Sequence, residues 1–484
     1  MQHKIIVTFI ILAAILSTGS YAQELPDKKA VLEDMRLANR YFMEKWPDPG
    51  ANIVTDKVRP SNIWTRATYY EGLMALYGVD PQEEFYEYAV DWGESHSWEP
   101  AYGGITRNAD NQCCGQTYIE LYLMDNQSER IQPIKACIDA MVNSEKSDDW
   151  WWIDALQMAM PIFAKLGVIY NDSGYYEKMF DIYNYTKTTH GTSGLYNPDD
   201  HLWWRDASFV PPYTTPAGLN CYWSRGNGWV FAALARVLDV MPADAPHRNE
   251  YLTTYTEMAE ALIALQRYDG FWNPSLVDSN DYGGKETSGT AFFTFGLAWG
   301  INDSILDEDL YKPAVIKAWN GMVNDALHTD GFLGYMQGTG KQPSDGQPLS
   351  YDKVPNFEDY GLGAFLLAGS EVFKMAPDTA DTTTLINPDP SVDELFLKAF
   401  PNPFRDFIHI SFSLQEVADP VVSLYDIYGK KIFEEKAIAD HGRNEYHLTW
   451  HGTRPDGIPV PAGMYILQLK AKNFYKNKVI CKLK

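Results

Sequence analysis

Six times along the chain, a short polar or aromatic lead-in opens an apolar run with helical spacing and small residues inside it. The first is Trp64-Thr65-Arg66-Ala67-Thr68-Tyr69-Tyr70-Glu71-Gly72-Leu73, and the second extends from Asp110 to Tyr118. The third begins Asp148-Asp149-Trp150-Trp151-Trp152-Ile153-Asp154 and continues to Pro161. Trp223-Ser224-Arg225-Gly226-Asn227-Gly228-Trp229 leads the fourth, Thr287-Ser288-Gly289-Thr290 the fifth, and Asp359-Tyr360-Gly361 the sixth. Neighbouring starts, with the third counted from Asp154, lie about 45 to 70 residues apart, room for a helical hairpin and its loops. Amphipathic segments such as 131–144 and 251–266 lie between them. Six apolar helices alternating with six amphipathic ones predict an inner and an outer ring, an all-α (α/α)6 toroid over residues 23–376. If the inner helices all run one way, their polar lead-ins converge at one mouth, where a site belongs. The plainer alternative is a helical repeat protein without a site; the Trp, Asp and Arg clustered at the lead-ins argue against it.

Ahead of this region, Lys4 precedes the apolar run 5–16, and Ser20-Tyr21-Ala22 closes it with the small residues a signal peptidase reads. Residues 1–22 are expected to be a signal peptide, too short for a membrane span, with cleavage after Ala22 and no span in the mature protein. Asp and Glu outnumber Lys and Arg by 64 to 40, which argues against nucleic acid or an anionic membrane as the main partner. Five cysteines (Cys113, Cys114, Cys137, Cys221 and Cys481) leave at least one unpaired within the chain. They show no Cys-x-x-Cys with histidine partners, so no metal and no other cofactor is expected, and the cysteines read as mostly buried thiols.

Residues 377–393 shift to Asp, Thr and Pro without helical period and read as a linker. Beyond it the period becomes two: Ile408, Ile410, Phe412 and Leu414 alternate with His409, Ser411 and Ser413. Residues 394–484 are therefore expected to form a small all-β sandwich. Four motifs stand in order here: Pro401-Asn402-Pro403-Phe404, Tyr425-Asp426-Ile427-Tyr428-Gly429-Lys430, Trp450-His451-Gly452 and Pro461-Ala462-Gly463-Met464-Tyr465. Together they resemble the C-terminal sorting domain of type IX secretion cargo. That resemblance implies the type IX machinery as a partner, passage through the periplasm and across the outer membrane, and then release or surface attachment.

The chemistry concentrates at Asp154. The stretch from Asp148 reads as a helix start with an acidic cap, which puts Asp154 about one turn in, on a face shared with Trp150, Trp151, Gln157 and Met158. A carboxyl in apolar surroundings keeps its proton to higher pH, as a general acid must. The plain alternative is an aspartate favoured by the helix dipole.

Three segments carry a second resemblance: Trp152-Ile153-Asp154-Ala155, the Trp223 to Trp229 run, and Tyr360-Gly361-Leu362-Gly363-Ala364-Phe365. They resemble the unsaturated glucuronyl and rhamnogalacturonyl hydrolases, glycoside hydrolase families 88 and 105, with family 105 the closer match. These enzymes act on the 4,5-unsaturated uronic acid left by polysaccharide lyases. One aspartate protonates C4, water adds at C5, and the hemiketal opens and expels the rest of the chain. A lone acid/base thus suffices, unlike the two-carboxylate glycosidase. Carried over, Asp154 is the acid/base, and the family's second aspartate falls at Asp110, whose charge would help keep Asp154 protonated; Asp110 is otherwise an N-cap. Arg225 is expected as charge partner or oxygen ligand of the substrate, or else as half of a structural ion pair. Trp223 and Trp229 are expected to wall the sugar ring, or to fill core, with Tyr69 a weaker candidate. The family's loop histidine corresponds to His201, in a loop of different spacing where Trp203, Trp204 and Arg205 are alternative subsite residues.

The resulting expectation is a secreted hydrolase that removes an unsaturated uronyl group from oligosaccharides of ulvan or rhamnogalacturonan. Its rivals are a conventional glycosidase using an acid pair such as Asp148 and Asp149 or Asp110 and Asp154, and a non-catalytic surface glycan-binding protein.

Overall fold

The computed structural model describes residues 24–378 and most of 397–482. The expected signal peptide lies outside the described residues, as does the expected linker apart from Pro377 and Asp378. Thirteen helices occupy the first region: α1 (Lys28–Lys45), α2 (Trp64–Val79), α3 (Glu83–Ser95), α4 (Ala109–Gln112), α5 (Gly115–Met124), α6 (Gln132–Val142), α7 (Asp154–Tyr170), α8 (Gly174–Thr188), α9 (Ser224–Val240), α10 (Arg248–Ala264), α11 (Thr287–Asn302), α12 (Glu308–Asp325) and α13 (Asp359–Met375).

The apolar set behaves as its composition requires. Nearly every residue of α7, α9, α11 and α13 is buried, whereas α3, α6, α8, α10 and α12 bury one stripe and wet the other. In chain order α2, α5, α7, α9, α11 and α13 each pack on the next, and α13 returns to α2. The remaining helices pack outside them, α3 on α2, α8 on α7, α10 on α9, α12 on α11 and α13, and α1 on α13. Where α13 meets α2 the backbones nearly touch: a Cβ on Gly363 would lie 2.1 Å from the carbonyl oxygen of Thr68.

The first turns of α2, α9 and α13 come together, so these helices share a direction. Arg66 of α2 donates to Asp359 of α13 at 3.0 Å, with both side chains buried. Trp64 stacks on Tyr360 at 5.4 Å and meets Trp229 edge-on at 6.0 Å. Aromatic rings from α2, α9 and α13 thereby pack on one another at these first turns.

Two details depart from the sequence reading. The second apolar segment is split into α4 and α5 around Cys113 and Cys114. α7 begins at Asp154 itself, with Ile153 as its cap residue, because Asp149 is engaged elsewhere: Arg107 forks onto it at 2.8 and 2.5 Å. The acid pair Asp148 and Asp149 is likewise tied down, both carboxylates lying within 3.4 Å of Lys146. Cys113, Cys114, Cys137 and Cys221 are buried free thiols.

Among the described residues, the second region holds two four-stranded antiparallel sheets. In one, Leu397–Phe400, Ile408–Ser413, Glu445–Trp450 and Ile438–Ala439 lie side by side; in the other, Phe474–Lys482, Gly463–Ala471, Val421–Asp426 and Lys431–Lys436. Ile408, Ile410 and Phe412 share one core with Val422, Leu424, Leu467 and Leu469 of the other sheet. Among the described residues no helix is long and apolar enough to cross a membrane.

Candidate active site

Asp154 opens α7 with its side chain mostly covered (12 % exposed), at the helix end whose dipole favours negative charge. Residues just before it are pinned: Trp152 bridges Asp206, and the Ile153 N–H donates to the Arg205 carbonyl at 3.0 Å. This brings Arg205 onto the carboxylate. Its Nε and Nη2 both donate to Oδ2 of Asp154, at 3.2 and 3.0 Å, while Nη1 donates to Oδ2 of Asp206 at 2.8 Å. The other oxygen of Asp154, Oδ1, is buried without a hydrogen-bond partner among the described residues. Such an atom is costly to leave unpaired unless something is to come to it.

Burial raises Asp154 above the ordinary carboxylate range; the Arg205 and Arg225 charges pull it back only in part. Asp110, in the first turn of α4, is pushed up to about 7, first by burial and then by the charge of Asp154, with Arg205 opposing. The cap of α4 is Asn108, which accepts from the Asn111 N–H, so the capping alternative for Asp110 does not apply. Two carboxyl groups that feel each other in a low-dielectric setting ionise in sequence, and one retains a proton near neutrality. Proton delivery at neutral pH is what the arrangement offers.

The other expected residues are placed variously. Arg225 is fully buried: Nη1 and Nη2 donate 2.8 Å to the carbonyls of Gln337 and Gly338, and its guanidinium lies against the rings of Trp223 (4.5 Å) and Tyr360 (4.8 Å). Trp223 is buried with its indole N–H on Oε1 of Gln337 at 2.8 Å. Both hold the 337–338 loop. Trp229 is buried among Trp64, Phe292 and Tyr360. Tyr69 is buried against Phe42, its hydroxyl donating to Asn39 at 2.8 Å, within the α1–α2 contact. His201 is half-buried, with positive φ, its backbone N–H on the Asn197 carbonyl and its ring parallel to that of Tyr196 at 6.5 Å. Asp110 lies within electrostatic reach of Asp154; Trp229 sits with Trp64 and Tyr360 at the first turns, Tyr69 in the α1–α2 contact, and His201 in the loop between the paired segments 196–197 and 202–203.

Arg205 and Asp206 carry more of the site than their sequence context suggests, because the pairing spans 51 positions and leaves no local pattern. The motif that places them is legible in hindsight. Asn227, inside the Trp-x-Arg-Gly-Asn run, accepts from the Trp203 N–H at 2.8 Å and donates to the Trp203 and Trp223 carbonyls at 3.0 Å each. Gly226 keeps that helix start close to α7, since a Cβ there would lie 3.2 Å from Ile153 and 2.9 Å from the Trp223 ring. Trp151, half exposed at 50 %, lies 5.8 Å from the Arg205 guanidinium and offers an aromatic face at the rim.

Comparison with known proteins bears on this geometry. The family described as Glycosyl Hydrolase Family 88 matches residues 35–376, and the Secretion system C-terminal sorting domain matches residues 398–482. A curated "Unsaturated 3S-rhamnoglycuronyl hydrolase" of Formosa agariphila is 34 % identical over 332 residues, covering 64 % of this chain and 84 % of that protein. A solved glycosyl hydrolase family 88 protein of Bacteroides vulgatus is 32 % identical, with a TM-score of 0.65 over 72 % of this chain and 99 % of its own. A possible family 105 member from Salmonella enterica superposes with a TM-score of 0.56 over 72 % of this chain and 94 % of its own. At 18 % identity it shows the fold alone.

Proposed function

The chain belongs to glycosyl hydrolase family 88, and from that premise we propose that this glycoside hydrolase removes a 4,5-unsaturated uronic acid from the non-reducing end of lyase-generated oligosaccharides. The observation that carries the proposal is the Asp154 carboxyl: buried, forked by Arg205 through one oxygen, open at the other, and beside Asp110. The six inner helices with their outer partners form the (α/α)6 toroid, and the shared mouth of their first turns admits the sugar.

Protonated Asp154 delivers its proton to C4, the π electrons of the C4–C5 bond forming the new C–H bond. Water adds its oxygen to C5 and returns a proton to Asp154. The hemiketal then opens, and the aglycone leaves with its oxygen. Asp110, whose own carboxyl is pushed up to about 7, opposes full ionisation of the pair and so favours reprotonation of Asp154. Arg225 and Trp223 serve by fixing the 337–338 loop, and Trp151 lies against the next sugar. The relative's activity on an unsaturated 3S-rhamnoglycuronyl unit favours a uronyl-rhamnose bond in the substrate, of ulvan type ahead of rhamnogalacturonan. Residues 398–482 direct the enzyme through type IX secretion to the cell surface or beyond.

The test uses the conjugated double bond as its own probe. Oligosaccharides made by lyases from ulvan and from rhamnogalacturonan should lose their ultraviolet absorbance with the wild-type protein, ulvan faster, and keep it with folded Asp154→Asn. Unchanged absorbance with wild type on both panels refutes the reading.

A further inference from the structure

Arg205 is held asymmetrically. Its Nη1 rests on Oδ2 of Asp206 at 2.8 Å, and Asp206 is itself fixed through Oδ1 by the backbone N–H of Ser208 (2.9 Å) and by the Ser208 hydroxyl. Burial pushes Asp206 up, yet the hydrogen bonds from Ser208 and Arg205 carry it below the usual carboxylate range, so it stays charged. The opposite edge of the guanidinium, Nε and Nη2, is spent on a single oxygen of Asp154. A guanidinium edge and a carboxylate ordinarily meet through two parallel hydrogen bonds, one to each oxygen. Here one oxygen takes both and its neighbour takes none. The pair lies close to solvent: the Arg205 side chain is 14 % exposed and Trp151 beside it half exposed.

The proposed chemistry brings a second carboxylate to this place. An acid that protonates C4 must approach within about 3 Å of it. C5 is bonded to C4 and bears the uronic carboxylate. The substrate's negative charge therefore arrives next to Asp154 and within reach of the same guanidinium edge. Two carboxylates crowded together cannot both stay ionised without a cation between them. Of the cations facing Asp154, Arg225 has both Nη groups committed to the carbonyls of Gln337 and Gly338. Arg205 is the one whose hydrogen bonds to Asp154 an incoming carboxylate can replace.

We propose that Arg205 is a substrate-sensing positioning residue: its Nε/Nη2 edge leaves Asp154 for the C5 carboxylate of the unsaturated uronyl group, pivoting on Asp206, and so releases Asp154 to take up the proton it delivers to C4. This inference rests on the proposed reaction. In the empty site the Arg205 fork favours the charged form of Asp154 against its burial; in the occupied site the same fork clamps the substrate and that hold is released. The proton comes from solvent onto Asp154, passes to C4, and is replaced by one from the water that bonds to C5. The other groups around Asp154, namely Arg225, Asp206 and Asp110, stay where they are through the exchange.

The pH profiles test this. A general acid must be protonated, so activity falls on the alkaline side; kcat/KM reports the free enzyme and kcat the complex. In wild type the alkaline limb of kcat is expected above that of kcat/KM by about one pH unit or more. Arg205→Gln should raise the free-enzyme limb and narrow the gap to less than half, with a higher KM. Arg205→Lys, which keeps the charge without the fork, should retain most of the gap. The methyl ester of the same unsaturated substrate should close the gap in wild type, an arm that needs no altered protein. A gap absent from wild type, unchanged in Arg205→Gln, or kept in full with the ester overturns the exchange. If wild type bleaches the double bond and Asp154→Asn does not while the gap ignores Arg205 and the ester, only the exchange falls. If wild type never bleaches it, the reaction reading falls and takes the exchange with it.

Discussion

Asp154 and Glu71 are carboxylates buried in the same ring of helices, one at the first residue of α7, the other two turns along α2. Both oxygens of Glu71 are taken: Gln116 donates to Oε1 at 3.0 Å and Gln157 to Oε2 at 2.7 Å, with the Cys113 thiol and the Arg236 guanidinium close by at 3.4 and 3.7 Å. Arg236 also reaches Glu120 at 3.2 Å, and Lys165 pairs with that same oxygen. Four helices are thereby tied together by one network that leaves neither oxygen of Glu71 bare. At Asp154 the network stops short, with one oxygen crowded and one bare. A buried group left short of partners costs stability, and the rest of the domain must supply it. The difference separates a carboxylate that holds helices in register from one kept ready to react.

The comparison breaks first at Asp154 itself. Asp154→Asn is expected to lower kcat by about 10²–10⁴-fold while the melting temperature holds or rises, since the amide removes a buried charge. Arg236→Leu attacks the other network: it strips the cation from Glu71 and Glu120 and should cost about 3–5 kcal/mol in denaturant unfolding, with kcat of the folded fraction little changed. Equal losses of activity in the two variants would erase the distinction.

A pH series sharpens it. Burial, with Glu120 adding to it and Arg236 opposing, pushes Glu71 up to about 7 from an ordinary 4.5. The folded state therefore binds this proton more tightly than the unfolded chain. Its contribution is full below pH 4.5 and is lost as pH rises through about 7, a span worth about 3 kcal/mol. Glu71→Gln should flatten the stability profile between those limits; a profile identical to wild type would contradict the assignment. The smallest effect is expected from Asn227→Ala. Loss of its bonds to the Trp203 backbone should cost about 1–3 kcal/mol and raise KM by loosening the segment that carries Arg205, leaving the alkaline limb of kcat in place.

Much of the helical frame was legible beforehand because it rests on local pattern. Trp64, Ser224, Thr287 and Asp359 begin helices where a polar lead-in gives way to an apolar run. The alternation from Ile408 to Phe412 becomes a strand with its apolar side buried. What the pattern could not carry was partner choice. Asp148 and Asp149 look like caps, yet Arg107 and Lys146 hold them, and α7 starts later. An arginine between two tryptophans carries no mark of its partners in sequence; the Nη groups of Arg225 meet the carbonyls of Gln337 and Gly338, and its buried Nε has no partner among the described residues. Aromatics such as Tyr69 and Trp229 carry no mark in sequence that separates a sugar wall from core. Arg205 meets Asp154 only because Asn227 clasps Trp203 and residues 205–206 lie along 152–153, contacts made by folding alone.

The central claim is that the reaction begins at the double bond, with Asp154 as the group that protonates it. It is tested most directly by presenting the enzyme with one oligosaccharide in two forms, the lyase product and the same molecule after catalytic hydrogenation of its C4–C5 bond. The account predicts that the shortened oligosaccharide is released from the unsaturated form alone, and not by Asp154→Asn. Release from both forms at comparable rates would contradict it, and would make Asp154 and Asp110 the acid pair of a conventional glycosidase.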